Sequence, residues 1–311
     1  MQHLPENALP SREPRQPSVE SQAEPPSVKV RARRIRLFYP DPSNPTSDSN
    51  DGLFIKPEAV GTAGAYFTSS RVFANDRVFP YSAVGKLFFN KPNGVGYLCS
   101  GAAIKPRLIL TAGHCVHDGK SGASGWNNSF SFVPAFRSGV APYQRWSYTR
   151  AWTTNTWFNG GGTVPNAADY AIIEVADQPF NGVVRRIGDV TGLLGYKTQS
   201  LLPNHADILG YPGNLDSGSI MHQVTAASFR TSSPNAAEYG SDMGGGSSGG
   251  PWIQNFGQLS NGQTDYGTNQ IVGVTSYGPL VSGPHYQGSS ILDSRFLDLV
   301  NTGCNSKTGN C

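Results

Sequence analysis

The chain has 311 residues, enough for one large or two ordinary domains with a sizeable core. With 37 Gly and 23 Pro but only 14% charged residues, it excludes coiled coils and long helical bundles and suits short strands joined by many turns. The net charge of +3 implies no strong field for nucleic acid or a membrane surface, and no run of about 18 apolar residues offers a transmembrane helix.

Residues 1–71 hold 10 of the 23 Pro but only 3 of the 37 Gly. Pro25-Pro26, Pro40-Asp41-Pro42 and Asn44-Pro45 break any regular element. The first 30 residues lack the apolar stretch of a secretory signal, so either a signal has been removed or export takes another route. The basic stretch Lys29–Arg36 reads as a solvated linker face or as a processing site; nucleic-acid binding lacks aromatic support. Residues 1–71 are therefore expected to be a leader, propeptide or linker, and 72–311 the functional domain.

From Val72 onward short apolar runs recur between Gly, Asn and Pro: Ala83–Phe89, Gly101–Ile104, Leu108–Ala112, Ser129–Val133, Tyr170–Val175, Ala206–Gly210, Ile271–Ser276 and Ser290–Leu292. Such runs bounded by turn residues read as strands, and many of them without intervening helices read as a barrel or sandwich. One helix is expected at the end, capped by Asp293, with Phe296, Leu297 and Val300 on one face and Gly303 ending it. The four cysteines, Cys99, Cys115, Cys304 and Cys311, permit two disulfides.

Three segments carry chemistry: Leu110-Thr111-Ala112-Gly113-His114-Cys115, Ala168-Asp169-Tyr170-Ala171-Ile172-Ile173, and Gly244-Gly245-Gly246-Ser247-Ser248-Gly249-Gly250-Pro251. Each alone has a bland reading: a structural His, a turn Asp, a flexible linker. Together they supply what a serine nucleophile needs. A hydroxyl requires an adjacent base, imidazole accepts a proton near neutral pH, and a carboxylate on the other ring nitrogen holds the tautomer. Glycines let backbone N–H groups turn toward an oxyanion. Asp177 is a rival acid, but it follows its strand instead of opening it. His117 reads as a surface residue; His205, His222 and His285 are scattered, without metal-site spacing. Asn127-Asn128-Ser129 is a glycosylation sequon, relevant in a eukaryotic source.

The Thr-Ala-Gly-His-Cys motif at 111–115, Gly-x-Ser-Gly-Gly-Pro at 246–251 and the order His, Asp, Ser make the segment from Val72 to Thr302 resemble the chymotrypsin-like serine endopeptidases, within them the secreted branch that includes the glutamyl endopeptidases. The resemblance implies an all-β fold of two packed antiparallel six-stranded β-barrels with a short C-terminal helix. It implies His114, Asp169 and Ser248 as catalytic residues, the Gly246 and Ser248 amides as oxyanion hole, and Ser276-Tyr277-Gly278 as the strand that pairs with substrate. It also implies disulfides Cys99–Cys115 and Cys304–Cys311, hence an oxidising, extracellular setting. No metal or other cofactor is implied. Protein or peptide substrates are expected, without nucleic-acid or membrane partners, for a monomer.

The sequence also departs from that family. Ser247 stands where trypsins carry the Asp that bridges a new N-terminus, so activation through such a bridge is not expected. Arg71-Val72 nevertheless resembles a mature start, and cleavage at or near it, with the enzyme itself as candidate agent, is expected; the alternatives are an uncleaved tether or cleavage by another protease at Arg33-Arg34. Thr275 stands where glutamyl endopeptidases carry a His. Asp242, six residues before Ser248, stands where trypsin carries its pocket Asp and would favour Arg or Lys, unless the loop runs differently and leaves it a turn residue. Gly278 and Gly288 match small pocket walls. Two rival functions remain: a catalytically silent binding module on the same fold, and an ester hydrolase using the same triad.

Overall fold

A computed structural model describes residues 2–3, 18–21, 23–27, 69–72, 76–258, 267–279 and 285–311. The basic stretch 29–36 lies outside the described residues. Strands dominate, in two barrel-like sheets.

The first barrel is built from β1 (Val84–Asn90), β2 (Gly96–Lys105), β3 (Leu108–Thr111), β4 (Asn128–Pro134), β5 (Trp146–Thr153) and β6 (Ala171–Val175). All neighbours are antiparallel, and the pairing of β5 with β6 closes the ring. Register is held by apolar partners such as Leu110 opposite Ile172 and Leu87 opposite Cys99. Slipping it by one residue would turn these side chains out of the core. Bulges at Phe88/Asn90, Ala103/Lys105 and Tyr148/Arg150 supply the bends that closure needs.

The second barrel uses β7 (Gly195–Thr198), β8 (His205–Gly210), β9 (His222–Ser232), β10 (Ala236–Gly240), β11 (Pro251–Gln254), β12 (Gln270–Val274) and β13 (Tyr286–Ser290). A single bridge between Tyr277, just past β12, and Gly288 on β13 brings the edge strand β13 back to the continuation of β12. Within this barrel the expected antiparallel rule is broken where β7 runs parallel to β12, and on the first sheet where Gln2–His3 runs parallel to the end of β5. A long connection delivers β7 from the first barrel, so no hairpin forces antiparallel pairing there.

The expected strand at Ser290–Leu292 is corrected: the strand is Tyr286–Ser290, and the earlier signal caught only its end. After the single turn α1 (Gly113–Val116), the terminal helix α2 (Ser294–Asn305) is capped by Asp293, whose Oδ1 accepts from the Arg295 amide at 3.0 Å. Its buried face is Phe296, Leu299, Val300 and Gly303, with Leu297 only half-buried. Gly303 does not end the helix. It lies inside it because a Cβ there would sit 2.9 Å from Leu108 Cδ1, so the glycine lets α2 press on the first barrel.

The leader is not wholly separate. Ser18–Ser21 pairs antiparallel with β7, Glu24 exchanges backbone hydrogen bonds with Leu193, and Ser70–Arg71 pairs with the start of β9. The Arg71–Val72 bond therefore lies on a docked strand, not on an open tether: Arg71 Nε donates to Asp216 at 2.7 Å, and Val72 is buried with its amide on Met221 O.

Candidate active site

His114 sits in the single turn α1 (Gly113–Val116), which begins where β3 ends. Asp169 stands two residues before β6 and is fully buried. Because β3 and β6 are neighbours, the two meet: His114 Nδ1 lies 2.8 Å from Asp169 Oδ2, and the His114 backbone N–H donates to Asp169 Oδ1 at 2.8 Å. Gly113 makes this approach possible, since a Cβ there would stand 2.8 Å from that same carboxylate oxygen. The second barrel adds Ser276 Oγ, donating to Asp169 Oδ2 at 2.5 Å, and Ser290 Oγ, accepting from the Asp169 amide at 3.0 Å. Burial alone would lower the His114 pKa; the charge and hydrogen bond of Asp169 outweigh it, and the net shift is upward.

The Gly/Ser run is not a linker. The Ser248 carbonyl accepts from the Ser100 amide at 2.7 Å, which ties the loop to β2. Gly249, at φ +77°, lies so close to β3 that a Cβ would meet Thr111 Oγ1 at 2.1 Å. This contact presses the Ser248 loop against the strand end that leads into His114. The Gly245 carbonyl accepts from the Gly213 amide at 2.6 Å and the Ser247 carbonyl from the Gly250 amide at 2.8 Å. In a trans peptide the N–H points opposite to its carbonyl, so the Gly246 and Ser248 amides are turned the other way. Among the described residues neither donates to a protein acceptor.

Ser248 lines a cavity of about 330 Å³ with Asp242, Thr275, Tyr277, Gly278 and His285. Asp242 faces this space but is already engaged: its Oδ1 accepts from the Ser69 amide of the leader at 3.0 Å. Thr275 Oγ1 accepts from Trp252 Nε1 at 2.9 Å. The Ser276 and Tyr277 amides both donate to Gly288 O, at 2.8 and 3.2 Å. Gly288 is not a bare wall of the cavity: the Tyr277 ring covers it, at 2.1 Å from where a Cβ would be. Burial raises the Tyr277 phenol well above its usual range, so it remains a donor, to Glu238 Oε1 at 3.0 Å.

Several expectations are corrected. His117 is buried, not a surface residue; its Nε2 lies 2.7 Å from Gly122 O and its ring stacks on Phe158. Asn127 of the sequon is buried, with Nδ2 donating to Cys115 O at 2.9 Å, which leaves no room for a glycan. His285, read as scattered, lines the cavity; only the pairing of β10 with β13 brings it there. Asp177, past the opposite end of β6 from Asp169, is held by Arg107 at 2.5 and 2.7 Å.

Disulfides join Cys99 to Cys115 and Cys304 to Cys311. Cys99, His114 and Cys115 cluster tightly enough to suggest a metal site, but both sulfurs are spent in the disulfide, so one ligand atom is left. No helix among the described residues is long and apolar enough to cross a membrane.

The chain is 28% identical over 233 residues to a glutamyl endopeptidase of Bacillus licheniformis, covering 73% of this chain and 65% of that protein. It is 27% identical over 190 residues to an extracellular metalloprotease of Bacillus subtilis, covering 60% and 55%. The chain thus spans somewhat under two thirds of the length of each of these curated relatives. Among solved structures it is similar to the protease Anisep of Arthrobacter nicotinovorans, at a TM-score of 0.59 and 25% identity over 72% of this chain and 96% of that one. The fold is also that of a Glu endopeptidase, at a TM-score of 0.58 and 24% identity over 75% and 94%. A family model described as a trypsin-like peptidase domain matches residues 99–260, more than half of the sequence, and the chain belongs to that family.

Proposed function

We propose that this protein is a secreted serine endopeptidase that cleaves protein or peptide substrates through an acyl-enzyme. The observation that carries the reading is the Asp169 carboxylate, which grips both the ring Nδ1 and the backbone amide of His114. That grip leaves Nε2 as the proton acceptor. In the first step Ser248 Oγ bonds to the scissile carbonyl carbon while its proton passes to His114 Nε2. The carbonyl oxygen becomes an oxyanion received by the Gly246 and Ser248 amides. The tetrahedral species collapses, the C–N bond breaks, and His114 returns the proton to the leaving amine. Water, deprotonated by the same imidazole, then hydrolyses the ester and restores Ser248. The Asp169 carboxylate steadies the imidazolium.

Asp242 in the cavity supports a preference for Arg or Lys before the cut. A second reading, an acidic residue there, is favoured by His285 in the same cavity and by the glutamyl endopeptidase relative. Removal of residues 1–71 at or near Arg71–Val72 fits the first reading, because it would free Asp242 from the Ser69 amide. The relative named extracellular and the two disulfides support secretion. The substrate-binding residues are Asp242, Thr275, Ser276, Tyr277 and Gly278, acting in a monomer without nucleic-acid or membrane partners.

Labelling with a fluorophosphonate, followed by mass mapping of the peptides cut from a denatured protein, tests activity and preference together. Cuts after Arg and Lys support Asp242's role, and cuts after Glu transfer it to His285. No label on Ser248 overturns the enzyme. N-terminal sequencing of the wild type and of Ser248→Ala shows where the leader is cut and whether the protein cuts itself.

A further inference from the structure

The loop that presents Ser248 has a side chain buried beneath it that the chemistry above does not use. Gln287 on β13 is 2% exposed, and all of its polar capacity is directed at this loop. Its Oε1 accepts from Ser241 Oγ at 2.9 Å. Its Nε2 donates to Met243 O at 2.9 Å and to Ser247 Oγ at 2.7 Å. With one lone pair taken by Gln287, the Ser247 hydroxyl sends its own proton to Gly244 O, at 2.6 Å. Ser241 Oγ in turn accepts from the Met243 amide at 3.3 Å. The network is buried against the cavity wall: Ser241 and Ser247 are 2% and 1% exposed.

We infer that Gln287 is a positioning residue for the oxyanion hole, holding the Met243–Ser248 loop so that the Gly246 and Ser248 amides face the substrate carbonyl. The inference rests on the serine endopeptidase reading. Its physical basis is that Ser247 lies between the two amides. A hydroxyl pinned from below fixes the direction of both flanking peptides, and a loop of glycines has no stiffness of its own. A fully satisfied buried network has one arrangement, whereas a broken one has several. Charge that develops only in the transition state is stabilised by donors already in place, so their disorder lowers kcat and leaves ground-state binding alone.

The test uses Gln287→Glu, which keeps the shape but loses the two N–H donors, together with Gln287→Leu and Ser247→Ala. Each is assayed on a peptide that the wild type cleaves, with sites counted by fluorophosphonate titration. Each is also measured against a peptide aldehyde, which forms an oxyanion on Ser248, and the matching peptide alcohol, which does not. The expected result is a fall in kcat per titrated site of roughly ten- to a hundredfold for the Gln287 variants, less than the 10²–10³ that losing one donor outright costs. Aldehyde affinity falls in parallel, while KM and alcohol affinity stay within about threefold. A wild-type kcat per site with fewer titratable sites would show a merely structural role and overturn the inference. If the Gln287 variants do not fold, Ser247→Ala carries the same test, and unchanged kcat and aldehyde affinity in it overturn the inference as well. Wild-type protein that takes up no fluorophosphonate overturns the enzyme reading instead, and the inference with it.

Discussion

The two barrels reach the same architecture with different interiors. The first is filled by Leu87, Ile104, Leu110, Phe132, Trp152 and Ile172, in a large apolar cluster that extends to Phe296 on α2 and across to Leu209, Ile253, Ile271 and Val274 of the second. The second has its own smaller cluster around Ile208, Tyr239, Trp252 and Val272. The wall of the cavity instead carries buried polar side chains, among them Ser241 and Gln287. Area burial holds the first, at about 25 cal/mol per Å² of apolar surface. Hydrogen bonds with defined directions hold the cavity wall of the second, each contributing about 1 kcal/mol net but costly to leave unmade. The difference follows the division of labour. The first barrel carries His114 and Asp169, and the second adds the Ser276 and Ser290 hydroxyls that hold Asp169. The second shapes the Ser248 loop and the cavity beside it, where direction matters more than area.

The comparison can be broken most sharply at the site that joins the barrels. His114→Ala and Ser248→Ala, one from each side, should each lower kcat by about 10⁴–10⁶, and the double variant should lose little more, because they act as a unit. Additive losses in a single-turnover assay would mean that the two act separately.

A second contrast concerns stability. Ile172→Ala, fully buried in the first barrel, should cost about 2–5 kcal/mol in urea unfolding. Tyr239→Phe, which deletes a 2.6 Å hydrogen bond to Leu201 O in the second barrel, should cost about 1–3 kcal/mol through the carbonyl left unpaired. The reverse order would contradict the view that apolar area dominates the first barrel.

The Cys99–Cys115 disulfide spans 16 positions and ties β2 to α1. Replacing both cysteines by Ser should cost roughly 3 kcal/mol in the chain-entropy treatment. Activity measured below the new melting point should survive, because Asp169 still grips His114; its loss there would show that the disulfide positions the histidine.

The smallest effect is a displacement along the pH axis. The His114 pKa is raised above its ordinary 6.5. The neutral imidazole is the active form, so the rate should rise with pH through the raised value and hold into the mildly alkaline range. Stability runs the other way: the pair's contribution is complete below the unfolded pKa and is lost as pH rises through the folded one. Asp169→Asn removes the charge that raises it, so the acidic limb of the residual activity should move to lower pH. An unmoved limb would assign the titration to another group.

How much could be read before folding differs between the same two regions. The runs Ala83–Phe89, Leu108–Ala112, Ser129–Val133 and Tyr170–Val175 coincide with first-barrel strands because apolar residues were required to fill it. Tyr286–Ser290 and most of His222–Ser232 are built from Gln, Gly, Ser, Thr and Ala, so no apolar run betrayed them. Trp146–Thr153 was hidden by its polar outward positions Ser147, Thr149 and Arg150.

Local chemistry in the chain was enough to single out His114, Asp169 and Ser248 as the proposed triad, because a proton relay restricts the residue types and the glycines around a turning loop restrict their neighbours. It was also enough to mark Asp293 as a helix cap, since an N-cap needs only a nearby amide. Folding decided what distance in sequence conceals. It set Ser276 on Asp169 across 107 residues, His285 in the cavity with Asp242, the leader's Ser69 on that same Asp242, and Gln287 beneath Ser247. None of these has a local signature, because a hydroxyl, an amide or an imidazole acquires its partner only when strand pairing brings two remote backbones to one register.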